Sequence, residues 1–150
     1  MFGASDENEM KMRYKFLPHT ADIKFQAFGK TENEAFKNAA YALKEIMVKK
    51  IKIKEKIKKK IEITGRDKEN LLYNFLEEFL FLFETKRFIL SSIKKLKIKE
   101  KSGTYALDCE AFGDVADNYE ISSHVKAITY NQMFVKRERN KYICQVVVDV

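Results

Sequence analysis

Two aspartates near opposite ends of the chain carry the chemistry that the sequence offers most plainly. Asp22 stands in the string Pro18-His19-Thr20-Ala21-Asp22-Ile23, and Asp149 sits in the closing Val146-Val147-Val148-Asp149-Val150. Aspartate is depleted in strands, yet Asp149 ends an apolar run that reads as one. Its carboxylate, the neighbouring carbonyls and the terminal group place several oxygen donors within two residues. Hard cations such as calcium and magnesium take oxygen ligands of this kind, backbone carbonyls included. A last strand lying beside a first one would bring Asp149 and Val150 to Asp22. The plainer alternative leaves Asp22 solvated on an outer strand face, His19 hydrogen-bonded in a bend, and the chain end frayed; spacing alone leaves both open. A third string, His124-Val125-Lys126-Ala127-Ile128-Thr129-Tyr130, has the residue types to position a phosphate or a carboxylate, and equally suits the start of an amphipathic strand.

Other chemistries lack their parts. The chain has two histidines and five scattered glycines, so a Ser-His-Asp triad or a di-metal hydrolase has no partners and no glycine-rich loop cradles phosphate. Cys109 and Cys144 are too far apart in sequence for a zinc clip and too few for a disulfide scaffold. Each falls on an apolar strand face, which suits packed, inert thiols.

These residues need elements to hold them. Proline removes a ladder donor and keeps its predecessor extended, so Pro18 interrupts a strand just before His19, and Ile23, Phe25 and Ala27 then share one face with Thr20, Asp22, Lys24 and Gln26 opposite. Thr31 with Glu34 forms a capping box, and Ala35, Phe36, Ala39, Ala40, Leu43 and Met47 follow at helical spacing. Isoleucines 51, 53, 57, 61 and 63 recur on odd numbers, the mark of one extended strand with lysines opposite. Glu55 and Lys59 break its apolar face, which predicts a bulge or an edge position. Asp67 is a helix N-cap for an apolar stripe running from about Lys68 to Glu84. Strands follow around Leu96 and Ile98, over Tyr105 to Ala111 after a Ser102-Gly103 turn, and as a closing hairpin with its turn near residues 138–141. Strands in runs with helices set between the early ones argue α+β, with two helices packed on a mixed, largely antiparallel sheet.

A length of 150 residues fits one domain, and 45% hydrophobic content is enough for a core. No apolar run approaches the roughly 18 residues of a membrane helix, and the polar, acidic start is not a signal peptide, so a soluble cytoplasmic protein is expected. The 29 basic and 22 acidic residues give a net charge of +7. Residues 49–60 hold eight lysines and one glutamate, so that stretch alone accounts for the whole net charge. Such a stripe is either a polyanion track or the wet face of one strand.

Taken in order, the strings resemble the archease family. The resemblance rests on His19-Thr20-Ala21-Asp22 with Ala27-Phe28-Gly29, on a first helix ending Leu43-Lys44-Glu45-Ile46-Met47-Val48, and on Leu71-Leu72 with Glu78. It continues through Val125-Lys126-Ala127-Ile128-Thr129-Tyr130 and the final Val148-Asp149-Val150. It covers residues 12–150, leaving 1–11 as a variable N-terminal extension. Asn131 stands where the family often has histidine, and Val150 where it typically ends in isoleucine.

The resemblance implies an archease-like single domain and a protein cofactor rather than an enzyme. Its partner would be the RNA-splicing ligase that joins 3′-phosphate or cyclic-phosphate ends to 5′-hydroxyl ends, with tRNA met indirectly through that ligase. The cofactor would promote GTP-dependent guanylylation and multiple turnover. It also implies a divalent-cation site, calcium by family report, with Asp22, Asp149 and Val150 as ligands and His19, Lys126 and Thr129 around it or facing the partner. Two other readings stand beside it: an RNA-binding or chaperone-like module using the Lys49–Lys60 stripe, and a metal-dependent phosphohydrolase using Asp22, Asp149 and His19. Only five of the 29 basic residues are arginine, and no aromatic lies in residues 49–60 to stack a base.

Overall fold

The computed structural model describes residues 12–150, so the extension expected over 1–11 lies outside the described residues. Strands β1 (Tyr14–Leu17) and β2 (Ile23–Gly29) lead to helix α1 (Glu32–Val48), and β3 (Ile57–Gly65) leads to α2 (Lys68–Lys86). Four strands follow: β4 (Phe88–Lys101), β5 (Thr104–Val115), β6 (Ala127–Glu138) and β7 (Lys141–Asp149). The α+β expectation with two helices and antiparallel strands holds, and every ladder among the described residues is antiparallel. The strands divide between two sheets, β1-β2-β7-β6 and β3-β5-β4. Helix α1 packs on β2, β7 and β4, and α2 on β6, β3, β4 and β5, so both helices bridge the sheets. One apolar cluster runs through the whole, with Phe25, Phe36, Leu43, Phe75, Leu76 and Val146 fully buried in it.

The two strand-to-helix joints are built alike. A Cβ on Gly29 would stand 2.4 Å from the Ala35 nitrogen, and one on Gly65 would stand 2.6 Å from the Leu71 nitrogen. Each glycine therefore lets a strand end press against the first turn of the helix it feeds. Two residues later comes the N-cap: Thr31 Oγ1 accepts from the Glu34 N–H at 3.1 Å, and an Asp67 carboxylate oxygen from the Asn70 N–H at 2.7 Å. Both caps stand where the sequence predicts them.

The expected single strand from Ile51 to Ile63 is corrected by the structure: β3 begins only at Ile57. Lys49 caps α1 at φ 58°, ψ −149° and turns the chain aside. The following backbone bonds to side chains instead of a ladder. The Ile53 carbonyl accepts from Ser91 Oγ at 2.6 Å, and the Lys54 N–H donates to Tyr119 Oη at 3.0 Å. From Ile57↔Gly113 to Gly65↔Tyr105 the register is unbroken. Of the two options read from Glu55 and Lys59, the edge position is the one observed, since β3 ends its sheet. Strand β7 is interior in its own sheet, and residues of both its faces are buried, Ile143 and Val147 as well as Cys144, Val146 and Val148.

Candidate functional site

The β2–β7 ladder ends at Ile23↔Val148. One further step along both strands reaches Asp22 and Asp149, so the two aspartates from opposite ends of the sequence flank the same corner of the sheet. Facing residues of antiparallel neighbours stand roughly 4.5–5.5 Å apart at Cα. Strand β6 closes the other side, with Ala127 opposite Asp149 and the Lys126 N–H donating to the Asp149 carbonyl at 2.8 Å. Asp22, Asp149, Val150 and Lys126 are thus brought together across three strands, with both aspartates half-buried and the Lys126 side chain exposed.

A tight turn delivers Asp22 to that corner. Its N–H donates to the Thr20 carbonyl at 2.8 Å, two residues back, while Ala21 takes φ 69°. A γ-turn with positive φ is rare and strained for a residue with a Cβ, and it fixes the aspartate at the mouth of β2. His19 precedes the turn, half-buried, and its Nδ1 is buried with no hydrogen-bond partner. It is the only such side-chain atom among the described residues. Leaving a buried polar atom unpaired costs stability, and such atoms deserve a functional account.

Next to the aspartates the outer sheet face is wired with amides. Between Thr129↔Val147 and Phe134↔Gln145 the β6 strand bulges, and Gln132 at φ 56° folds over β7. Its carbonyl accepts from Gln145 Nε2 at 2.8 Å, Gln145 Oε1 accepts from Gln26 Nε2 at 2.8 Å, and Gln132 Oε1 accepts from Lys24 Nζ at 2.9 Å. Lys24 lies two residues from Asp22, where strand geometry puts side chains on one face about 6.6–6.8 Å apart. Its ammonium is held by Gln132 instead of neutralising that carboxylate. Among the described residues neither the Asp22 nor the Asp149 carboxylate has an ion pair or a hydrogen-bond donor.

The bulge has its own anchor. Tyr130 stacks on Tyr73 of α2 with centroids 4.2 Å apart and planes 6° from parallel, and its Oη accepts from Asn70 Nδ2 at 2.7 Å. The Thr129 hydroxyl donates to the Val147 carbonyl at 2.8 Å and accepts from the Asn131 N–H at 3.3 Å. That hydroxyl is committed to pinning β6 on β7, which makes Thr129 a positioning residue for the corner. Tyr130 stands in the third string read from the sequence, whereas Gln132 on β6 and Asn70 and Tyr73 on α2 carry no sequence signal that ties them to the site.

The donor set suits a hard cation, since carboxylate oxygens are what calcium and magnesium prefer. Among the described residues no three His, Cys, Asp or Glu side chains gather, so two aspartates would have to be supplemented by main-chain oxygen and water. The thiols belong elsewhere: Cys109 and Cys144 are buried and unpaired. Burial pushes the Cys109 thiol up to about 12 and the Cys144 thiol higher still. His124 is exposed and takes no part in the corner.

The basic stripe is divided by the fold. On the outer face of β3-β5-β4, Lys58 meets Glu110 at 2.8 Å, Lys60 meets Glu62 at 3.2 Å, and Lys94 meets Glu55 at 3.4 Å. The Lys58 hydrogen bond holds the Glu110 carboxyl below its usual range. Several lysines of this face are therefore matched by acids, while Lys49, Lys50 and Lys52 in the segment before β3 have no carboxylate within ion-pair distance among the described residues.

The comparisons with known proteins agree on one family. Residues 14–150 match a family model described as the archease protein family (MTH1598/TM1083). An archease from Pyrococcus furiosus is 38% identical over 141 residues, covering 92% of this chain and 99% of that protein. One from Methanosarcina barkeri is 36% identical over 140 residues, covering 92% and 96%. The solution structure of protein 1598 from Methanobacterium thermoautotrophicum superposes with a TM-score of 0.80 at 32% identity, covering 92% of this chain and 99% of the other. A crystal structure of an archease from Thermotoga maritima, described as a possible chaperone, shares the fold at a TM-score of 0.58 and 18% identity, covering 91% and 96%.

Proposed function

Because this chain belongs to the archease family, we propose that it is a non-enzymatic activator of the RNA-splicing ligase, promoting guanylylation and repeated turnover in tRNA splicing and related RNA end joining. The observation that carries the reading is the pair Asp22 and Asp149, set one step past the end of a ladder from opposite ends of the chain and left without a counter-charge. Two carboxylates at one sheet corner with no cation partner are a donor set that a divalent cation would complete. We assign Asp22, Asp149 and the main-chain oxygen of Val150 as its ligands and calcium as the ion. When bound it would supply concentrated positive charge for positioning phosphate oxygens or carboxylates of the ligase and its nucleotide.

The chain's own residues set up that corner. The turn at Ala21 presents Asp22, the Lys126 N–H holds the Asp149 backbone, and the Gln132 bulge keeps Lys24 from competing for the acids. His19, with its unpartnered Nδ1, and the exposed Lys126 ammonium are the groups available to orient a bound ion or face the ligase. A stand-alone phosphohydrolase would need more side chains than two aspartates to hold metal and activate water, and the described residues gather no third His, Cys, Asp or Glu. Among the described residues no helix is long and apolar enough to cross a membrane.

The test is a guanylylation assay with the ligase from the same source, with and without this protein. Asp22→Ala and Asp149→Ala should each stay folded and lose most of the stimulation. Stimulation equal to wild type by either variant removes the acid corner from the mechanism, and no stimulation by the wild-type protein removes the activator reading.

A further inference from the structure

A second charged feature lies apart from the acid corner. Where β1 and the C-terminal end of α1 approach the loop before β3, an open cavity of about 260 Å3 is lined by Arg13, Lys44, Lys49, Lys50 and Lys52, with Glu45 the one acid among them. Glu45 accepts from the Tyr14 hydroxyl at 2.8 Å and meets none of the five cations within ion-pair distance. Among the described residues none of the five has a carboxylate partner. Lys58, Lys60 and Lys94 on the sheet face differ in each having an acid within ion-pair distance.

The cluster is arranged in the protein, not loosely spread on its surface. Arg13 lies over the Tyr41 ring at 4.2 Å and donates from Nε to Asn38 Oδ1 at 3.3 Å, which fixes its guanidinium. Lys44 is half-buried, and burial together with the Arg13 charge holds its ammonium below the usual lysine range, the mark of a cation lacking its anion. Lys49 occupies the C-cap of α1 at φ 58°, a conformation that suits glycine and that a side chain disfavours. The α1 dipole favours cations at this helix end, which helps Lys49 and Lys50. It does not account for Arg13, brought in from the strand side, or for Lys52 in the loop beyond.

We propose that this cavity binds the phosphate groups of a polyanion, supplied either by a nucleic-acid backbone or by a free polyphosphate. Phosphate oxygens would accept from the Arg13 guanidinium and the lysine ammoniums, ending the mutual repulsion of the five cations. The site is independent of the aspartate corner and of the ligase reading.

Calorimetric titration of the full chain with pyrophosphate and with a ten-nucleotide single-stranded RNA, at about 50 and 200 mM salt, tests it. Binding of the RNA alone names the backbone as the source, and binding of pyrophosphate names a free polyphosphate; either supports the site. Lys49→Gly and Lys52→Gln should each weaken binding several-fold, and the two together by about tenfold or more. The glycine variant should keep or raise Tm, because it relieves the positive φ. A merely structural Lys49 would not separate affinity from stability in that way. Lys58→Gln with Lys60→Gln on the matched sheet face should leave affinity within about twofold. Absence of binding to both probes at the lower salt overturns the proposal, and so does an equal loss in the sheet-face variant, which would mean diffuse electrostatics only.

Discussion

Asp22 stands across from Asp149 one residue beyond the last pair of the β2–β7 ladder, and neither carboxylate is answered by a cation among the described residues. The nearest strand lysine, Lys24, is instead held by Gln132 at 2.9 Å. A divalent cation bound between the two acids would stabilise the folded chain, which links stability to that cation.

That linkage can be measured. Calcium at a hundredfold excess over its dissociation constant should stabilise the wild-type chain by about 2.7 kcal/mol, a rise of about 5–10 °C in Tm for a domain of this size. Asp22→Asn and Asp149→Asn should abolish the rise while matching or exceeding the wild-type Tm in chelator, because each removes one of two repelling charges. Thermal melts in calcium and in chelator give both quantities; an Asn variant that still gains the full calcium shift excludes that residue as a ligand.

The bulge that diverts Lys24 depends on Tyr130. Tyr130→Phe keeps the stack on Tyr73 and loses only the hydrogen bond from Asn70, which should cost about 1 kcal/mol. Tyr130→Ala loses the stack as well and should cost about 2–3 kcal/mol. Only the alanine variant should free Lys24 from Gln132 and reduce cation affinity at the acid corner. Denaturant melts combined with calcium titration separate the two effects, and equal cation affinity in all three proteins would disconnect the bulge from the site.

Acid sensitivity should trace to Asp114. It is 3% exposed, and it accepts from the Tyr119 hydroxyl and the Val115 N–H, each at 2.8 Å. These bonds, the tyrosine first, hold its carboxyl below the usual aspartate range. A depressed folded pKa contributes stability that is complete above the unfolded value, about 3.9, and is lost as pH falls through the folded one. Asp114→Asn should be less stable than wild type at pH 7 and should lose less on going from pH 5 to pH 2. Parallel acid limbs in the two proteins would show that the hydrogen bonds do not favour the ionised form.

What could be read from the sequence was local or periodic. Thr31 and Asp67 cap their helices through bonds that span three residues, so the residue types suffice. Ile57, Ile61 and Ile63 keep their two-residue period because β3 is a regular edge strand. The same period misleads at Ile51 and Ile53, since what ends the strand there is the Lys49 cap and two side chains from 38 and 65 residues away, Ser91 and Tyr119. At the acid corner the aspartates were legible as oxygen donors. The Gln132 bulge that keeps them unpaired rests on Asn70 and Tyr73 of a distant helix. Unmatched charge around Arg13 and Lys44 was hidden in the same way, because a lysine count does not show which lysines meet an acid.

The two buried thiols should contribute to alkaline sensitivity, alongside the Tyr14 hydroxyl, which burial and the Glu45 bond also push up. Burial raises the Cys109 thiol to about 12 and the Cys144 thiol further, whereas in the unfolded chain both ionise near 8.5. A thiol with a raised folded pKa contributes stability that is complete below the unfolded value and is lost as pH rises toward the folded one. Between pH 9.5 and 11 each thiol should therefore cost about 1.4 kcal/mol per pH unit. Cys144→Ala, though less stable at pH 7 for its lost packing, should show an alkaline limb shallower by that amount. In the native protein at pH 8, a thiol-specific reagent should modify both cysteines only at the rate of opening, and modification should become immediate in denaturant. Rapid native labelling of either residue would contradict the burial that sets its pKa.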